Sequence, residues 1–572
     1  MRTKSIILLL AVLSTLITFN SCLDDLNSMP LNEHELTSDK VFTSPDAYRG
    51  LLAKLYGSLL LSGQQGPGGA SDVAGIDEGY SSYTRALLYL QEATTDIILF
   101  HSGSGVGTRD LLFTNWHPGT DIIKYAYYRL FISINYCNEM LREISDERQR
   151  SRELYEQMKD IAPYYRAEAR FIRAYAYMML CDLYGSVPFV DENTRLGSMP
   201  QQKTREEIFN FAVSEAEAAA AALMAPGTNE YGRIDQVAGW FLLSRLYLNA
   251  RTWVGKNEYE KAYQYAKKVI DSEKYPLAPD YRYIFLADNE DITEMIWALP
   301  HHLENTKSWG GTNFLIKALC DGNMREFTGM TEAWGNARLK TQFVDMFKPS
   351  DQPFDANDPW GDNKMDKRAQ LYSGRVINGN PVFHTKETWA PGQPLSNTFQ
   401  LGYASLKWRN MSRDRKLVGP GGTQTLYSAI DFPMFRTADA YLMAAEAILR
   451  GAGGSRVEAL GYVNKIRDRA YLYGDFTAPT SSGVSGRITD AELTLDFILD
   501  ERARELHLEN GRRTDLVRFG KFTKGYNWDW KGSNGAANNQ IGRDVDDKFN
   551  LFPIPEADIT ANPNLTQNPD FR

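Results

Sequence analysis

The sequence predicts a mainly α fold, in which helical hairpins of tetratricopeptide-like type support long irregular segments with little β structure. Apolar residues recur at the helical period over about residues 46–61, 122–144, 152–184, 205–224, 235–253, 258–272, 437–450, 456–472 and 490–510. Neighbouring stretches also combine small residues with aromatics. "AGWFLLSRLYLNA" places Ala238, Leu242 and Tyr247 on one helix, and "YEKAYQYAKKVIDSEKYPL" places Tyr259, Ala262 and Ala266 on the next, the texture of stacked helix pairs. The same texture returns in "AEARFIRAYAYMMLCDLYGSVPF" and "TADAYLMAAEAILRGAGGSRVEALGYVNKIRDRA". No strict repeat of ~34 residues survives, which leaves an ordinary helical bundle as the rival reading. Finally, residues 62–120 and 278–430 abandon the helical period and are rich in Gly, Asp, Asn, Pro and aromatics.

The chain opens on Arg2 and Lys4, runs through apolar residues from Ile6 to Phe19, and reaches Ser21 and Cys22. That is the build of a secretory signal, with an apolar run shorter than the ~20 residues of a spanning helix. A cysteine directly after a small residue at the cut is where a bacterial lipoprotein is acylated. Residues 1–21 are therefore expected to be a lipoprotein signal peptide, and Cys22 the lipidated start of a single domain over residues 22–572. One acyl chain holds a protein marginally and two hold it firmly, so a multiply acylated Cys22 would be the whole membrane anchor.

Composition narrows the partners. The formal charge is -9, and it becomes more negative once the signal segment takes Arg2 and Lys4 away, which argues against nucleic acid or an anionic membrane face. The mean hydropathy is -0.41, so the chain beyond Cys22 is expected to be soluble. Cys137, Cys181 and Cys320 are widely spaced without CxxC, which speaks for neither a disulfide framework nor a zinc site. Cys137 and Cys181 fall in helical patterns as small core residues.

The helical framework is expected over about residues 46–277 and 437–522, with residues 62–120 and 278–430 as irregular binding segments. Long irregular stretches in a compact protein are usually functional, and the aromatic content of these argues against disorder.

Catalytic motifs are missing. The sequence holds no HExxH, GxSxG, GxxxxGK[ST] or strand-led GxGxxG, and "GSGVG" and "GAGG" fit turns and helix ends. His301 and His302 are adjacent and would point apart on an extended segment. "DANDPWGDNKMD", residues 355–366, lacks the register of a calcium loop. A carboxylate pair of the glycosidase kind cannot be read from 72 acidic residues in sequence alone. No metal, cofactor or catalytic residue is assigned, and an enzyme is not expected.

Aromatic residues stand out instead: 11 Trp, 31 Tyr and 27 Phe. Trp116, Trp309, Trp334 and Trp389 fall in the irregular regions beside Gly, Asn, Asp and Arg. An indole face can stack on the C–H face of a sugar while neighbouring polar groups bond its hydroxyls. A loop anchored to the core by its tryptophan is the competing reading at each position.

The motifs together resemble the SusD/RagB family, the lipid-anchored, surface-exposed nutrient-binding proteins of Bacteroidota. "SCLDDLN" is similar to the family's acylated cysteine followed by acidic residues. "YRLFISINYCNEML", with Asn135, and "RAEARFIRAYAYMMLCDLYGSVPFV" resemble its N-terminal helices. "ILDERARELHLENGRRTDLVRFGKF" and "LFPIPEADITANPNLTQNPDF" resemble its C-terminal signature and ending. Asn510 departs from the glycine many members carry there. Glu501, Glu505 and Glu509 share a helix face by spacing, with Arg512, Arg513, Asp515 and Arg518 as ion-pair partners near the helix end.

The resemblance implies four helix pairs supporting an irregular ligand-binding part, and a glycan site that includes Trp116 and Trp334. Trp309, Tyr80, Asp77 and Arg109 are carried as neighbours in the same loops. It further implies a non-catalytic oligosaccharide binder on the outer membrane, exposed at the cell surface, that closes as a lid over a SusC-like TonB-dependent transporter. An oligopeptide binder and a scaffold that binds no nutrient are the alternatives.

Overall fold

The computed structural model describes residues 37–100, 106–347, 354–355, 358–377, 380–383, 399, 401–471, 486–533 and 540–571. Cys22 and Trp389 lie outside the described residues.

Nine of the helices build the frame: α1 (Pro45–Leu60), α3 (Asp121–Glu143), α4 (Ala162–Leu183), α5 (Arg205–Ala222), α6 (Gln236–Val254), α7 (Tyr259–Asp271), α9 (Thr437–Leu449), α10 (Arg456–Tyr471) and α11 (Leu495–Leu506). Local chemistry sets several of their ends. Thr204 and Glu207 form a reciprocal capping box at the start of α5. Asp235 accepts the Val237 and Ala238 N–H groups at the start of α6, and Gly255 closes that helix with φ +75°. The single helical stretch expected over 152–184 is broken, with a short helix at Tyr155–Met158 and Pro163 in the first turn of α4.

The frame helices pack in succession, α1 on α3, α3 on α4, α4 on α5, α5 on α6 and α6 on α7. Next, α7 packs on α9, and α9 on α10. More than 160 residues separate α7 from α9 in sequence, so the segment between them is an insertion into a continuous helical stack. Its roots are closed by an antiparallel pair, Met295–Leu299 against Phe432–Arg436, with Phe432 opposite Leu299. Residues 62–120 likewise interrupt the first pair, between α1 and α3.

Among the described residues, the two longest helices inside these irregular segments, where the sequence pattern showed none, are α2 (Tyr83–Gln91) and α8 (Gly311–Ala318). Every residue of both is buried. They are only nine and eight residues long, too short a window for the helical period to be read with assurance from sequence.

The C-terminal glutamates do not pair with the partners their spacing indicated. Glu501 takes Arg368 and Arg467, each at 2.8 Å. Glu505 takes Arg436 at 2.9 Å and also Arg469. Glu509 takes Lys407 and Arg436, both at 2.7 Å. Arg368 and Lys407 come from the insertion, so α11 and the turn after it tie the insertion to the frame. Of the partners expected, Arg512 pairs with Asp96 at 2.6 Å, Arg518 with Glu446 at 2.7 Å and Asp515 with Arg502 at 2.8 Å, while Arg513 donates to the Phe549 carbonyl at 3.1 Å. Burial decides this: these charges lie inside, and all of them but Arg513 take the opposite charge that packing brings to them. Asn510 holds φ +65°, a left-handed conformation that asparagine tolerates better than most residues.

Candidate functional site

The two irregular segments meet. Trp309 and Trp334 lie with ring centroids 6.0 Å apart, and Trp309 and Tyr427 at 5.4 Å. All three rings are half-buried. Beneath them the Nζ of Lys317 stands 4.7 Å from the Trp309 ring, 5.2 Å from Trp334 and 5.9 Å from Tyr427. The result is an aromatic arc gathered on one ammonium by cation–π attraction. Lys317 has no exposed side-chain surface and donates to Glu332 Oε2 at 3.1 Å. Burial holds its ammonium below the ordinary lysine value.

The backbone of α8 sets the arc. The Trp334 N–H donates to the Lys317 carbonyl at 2.7 Å, so ring and cation are fixed by one helix end. At the other end of α8, the Gly311 N–H donates to Ser82 Oγ at 2.9 Å. A Cβ on Gly310 would lie 2.0 Å from Ser82 Cβ, so only glycine allows this approach of the insertion to the 62–120 segment.

Buried Glu78 completes the joint, accepting Ser308 Oγ at 2.7 Å and the Trp309 N–H at 3.2 Å. Asp77 is exposed, and its Oδ1 accepts the Gly79 N–H at 3.0 Å, a turn that carries Gly79 against Trp309, whose Cβ lies 2.9 Å from the position of a Gly79 Cβ. Tyr80 is half-buried, with the Arg85 guanidinium 3.9 Å from its ring centre. Arg85 also donates to the Trp309 carbonyl at 3.4 Å.

Of the expected residues, the structure thus brings Trp309, Trp334, Tyr80 and Asp77 together. Trp116 is a correction. Its ring is 1% exposed, sits 4.8 Å from Phe552 and 5.1 Å from Phe549, and donates its indole N–H to the Leu551 carbonyl at 3.4 Å. It anchors the C-terminal segment to the core and has no free face for a ligand. Arg109 is exposed on the short helix Thr108–Phe113 and lies over the Phe113 ring at 5.4 Å, apart from the contacts that build the arc.

Sequence reasoning missed Tyr427, Lys317, Glu332, Glu78 and Arg85. A lysine inside the apolar run "TNFLIKAL" was the one available signal, since a buried charge needs a partner. Tyr427, in "GGTQTLYSAI", gave none.

Comparison with known proteins identifies the family and the fold. A family model described as "SusD family" matches residues 290–571, and one described as "Starch-binding associating with outer membrane" matches residues 108–248. The starch-binding protein SusD of Bacteroides thetaiotaomicron is 32% identical over 597 aligned positions, covering 99% of this chain and 98% of that protein. Among solved structures, a SusD homolog from Bacteroides thetaiotaomicron superposes with a TM-score of 0.68 at 19% identity, over 94% of this chain and 100% of that one. Surface glycan-binding protein A from Bacteroides fluxus gives 0.65 at 20% identity, over 92% and 99%. These two show the shared fold.

Proposed function

The chain belongs to the SusD family, and from that premise we propose that it binds a glycan, without cleaving it, on the arc of Trp309, Trp334 and Tyr427. The observation that carries the reading is the geometry of the arc: three half-buried rings inclined to one another by 47° and 50°, held from beneath by Lys317. An inclined row of aromatic faces suits a curved run of sugar rings better than a flat one, and it leaves the exposed carboxylates of Asp77 and Glu332 to accept hydroxyl hydrogen bonds. The name of the 32% identical relative makes a starch-type α-glucan the first ligand to test.

The same reading places the protein at the outer membrane, held by lipid on Cys22 and exposed at the cell surface, passing its ligand to a SusC-like TonB-dependent transporter. The matching family description, which couples starch binding with the outer membrane, supports the location.

Affinity electrophoresis tests the site. The chain from Asp24 onward is run through gels containing starch and a panel of other polysaccharides, beside a Trp309→Ala/Trp334→Ala variant. Retardation that the variant loses is the expected result. Retardation that survives in the variant discards the arc, and no retardation on any gel discards the glycan reading.

A further inference from the structure

Beside the arc the surface carries a recess of different character. Gly322, Asn323, Arg325, Glu326 and Gln424 line an open groove of about 290 Å³. Both of its walls hang from the segments that carry the rings. One wall, the turn Gly322–Met324 and the short helix Arg325–Thr328, follows α8, and just before it the Cys320 carbonyl accepts the Gly335 N–H at 2.8 Å, next to Trp334. The other wall is Gln424, three positions before Tyr427, which bounds their Cα separation at about 11 Å.

The two walls are joined to each other. Met330 bridges Thr425, and the Thr331 N–H donates to the Thr425 carbonyl at 2.9 Å. Arg325 donates to the Thr331 carbonyl at 3.0 Å. Buried Asn410 holds both Thr425 Oγ1, at 2.6 Å, and the Tyr427 carbonyl, at 3.2 Å. Groove and arc therefore keep a fixed mutual position.

We propose that this groove is an extension subsite, in which a neutral glycan chain lying on the arc continues and has its hydroxyls read by Asn323, Arg325, Glu326 and Gln424. The proposal rests on the glycan-binding reading of the arc. A sugar hydroxyl both donates and accepts, and so do the carboxamides of Asn323 and Gln424, while Arg325 donates and Glu326 accepts. With one charge of each sign the lining has no net charge to select a uronate or sulfate. Aromatic stacking on the arc holds the chain, and the polar groove adds affinity only for chains long enough to enter it.

Calorimetric titration of the purified chain with maltotriose and with maltoheptaose tests this, in the wild type and in Asn323→Ala/Gln424→Ala. The wild type is expected to prefer the longer sugar. The variant is expected to lose roughly tenfold of that preference, the worth of about two modest hydrogen bonds. Each single substitution is expected to lose about threefold, which keeps the test open if the pair impairs folding. A preference unchanged in all variants, or equal affinity of the wild type for both sugars, overturns the extension subsite and leaves the arc standing. A wild type that binds neither sugar removes the α-glucan reading and the subsite with it.

Discussion

Lys317 Nζ lies 3.1 Å from Glu332 Oε2, with the lysine side chain wholly enclosed and 47% of the glutamate side chain in solvent. The two ends of this pair have different needs. Glu332 can be rehydrated if its partner is lost, whereas Lys317 keeps only the faces of three aromatic rings. Glu332→Gln is therefore expected to destabilise the fold by about 1–3 kcal/mol. Lys317→Met, which removes the buried charge, is expected to cost little, and the double variant should recover most of the loss. Urea unfolding of all four proteins as a double-mutant cycle measures the coupling.

Trp116 and Trp334 make opposite demands on substitution. Trp116→Ala empties a core site among Phe522, Phe549 and Phe552 and should cost about 3–5 kcal/mol of stability. Trp334→Ala should lower glycan affinity at least about tenfold with a much smaller loss of stability. Thermal unfolding beside glycan titration separates the two; equal loss of binding in both variants would count against the arc.

Glu78 touches no exposed face of the arc, yet it fixes the backbone that carries Trp309. Glu78→Ala leaves the Ser308 hydroxyl and the Trp309 N–H without their acceptor. The expected outcome is weaker glycan binding by roughly tenfold with every ring still present, accompanied by a shift in tryptophan emission. Unchanged affinity would show that the ring is held by packing alone.

Glu92 is fully buried at the end of α2, and its Oε1 accepts the Gly511 N–H at 3.1 Å. Burial pushes its carboxyl up to about 7 from an ordinary value near 4.5. Between those values the folded state holds a proton that the unfolded state has released. Its contribution to stability is thus greatest below pH ~4.5, falls as pH rises to about 7, and stays low beyond; the full swing is about 3 kcal/mol. Glu92→Gln should abolish that decline and raise stability at pH 8, read from unfolding free energies across the pH range.

Glu505 is enclosed by Arg368, Arg436 and Arg469. These guanidiniums hold its carboxyl well below the usual carboxylate range against the cost of burial. Glu505→Gln leaves them short of one negative charge and should cost about 3–5 kcal/mol. Because Arg368 belongs to the insertion, proteolysis around it, within residues 358–377, should accelerate in this variant ahead of global unfolding.

Periodic positions were legible from the chain alone. Helices α1, α3, α5, α6, α7, α9 and α10 carry apolar residues at the helical period, and that spacing places them within a residue or two. The same local pattern marked residues 62–120 and 278–430 as exceptions, and it identified Trp309 and Trp334 as aromatics set in irregular, polar surroundings. Tertiary structure decided everything that depends on long-range contact. It placed α7 against α9 across the insertion, set Gly310 against Ser82, and so brought Asp77 and Tyr80 to Trp309 and Tyr427 to Lys317. It also withdrew Trp116 into the core. A tryptophan in a polar loop reads the same in sequence whether its ring faces solvent or a cluster of phenylalanines, because burial is settled by residues hundreds of positions away, here Leu551 and Phe552.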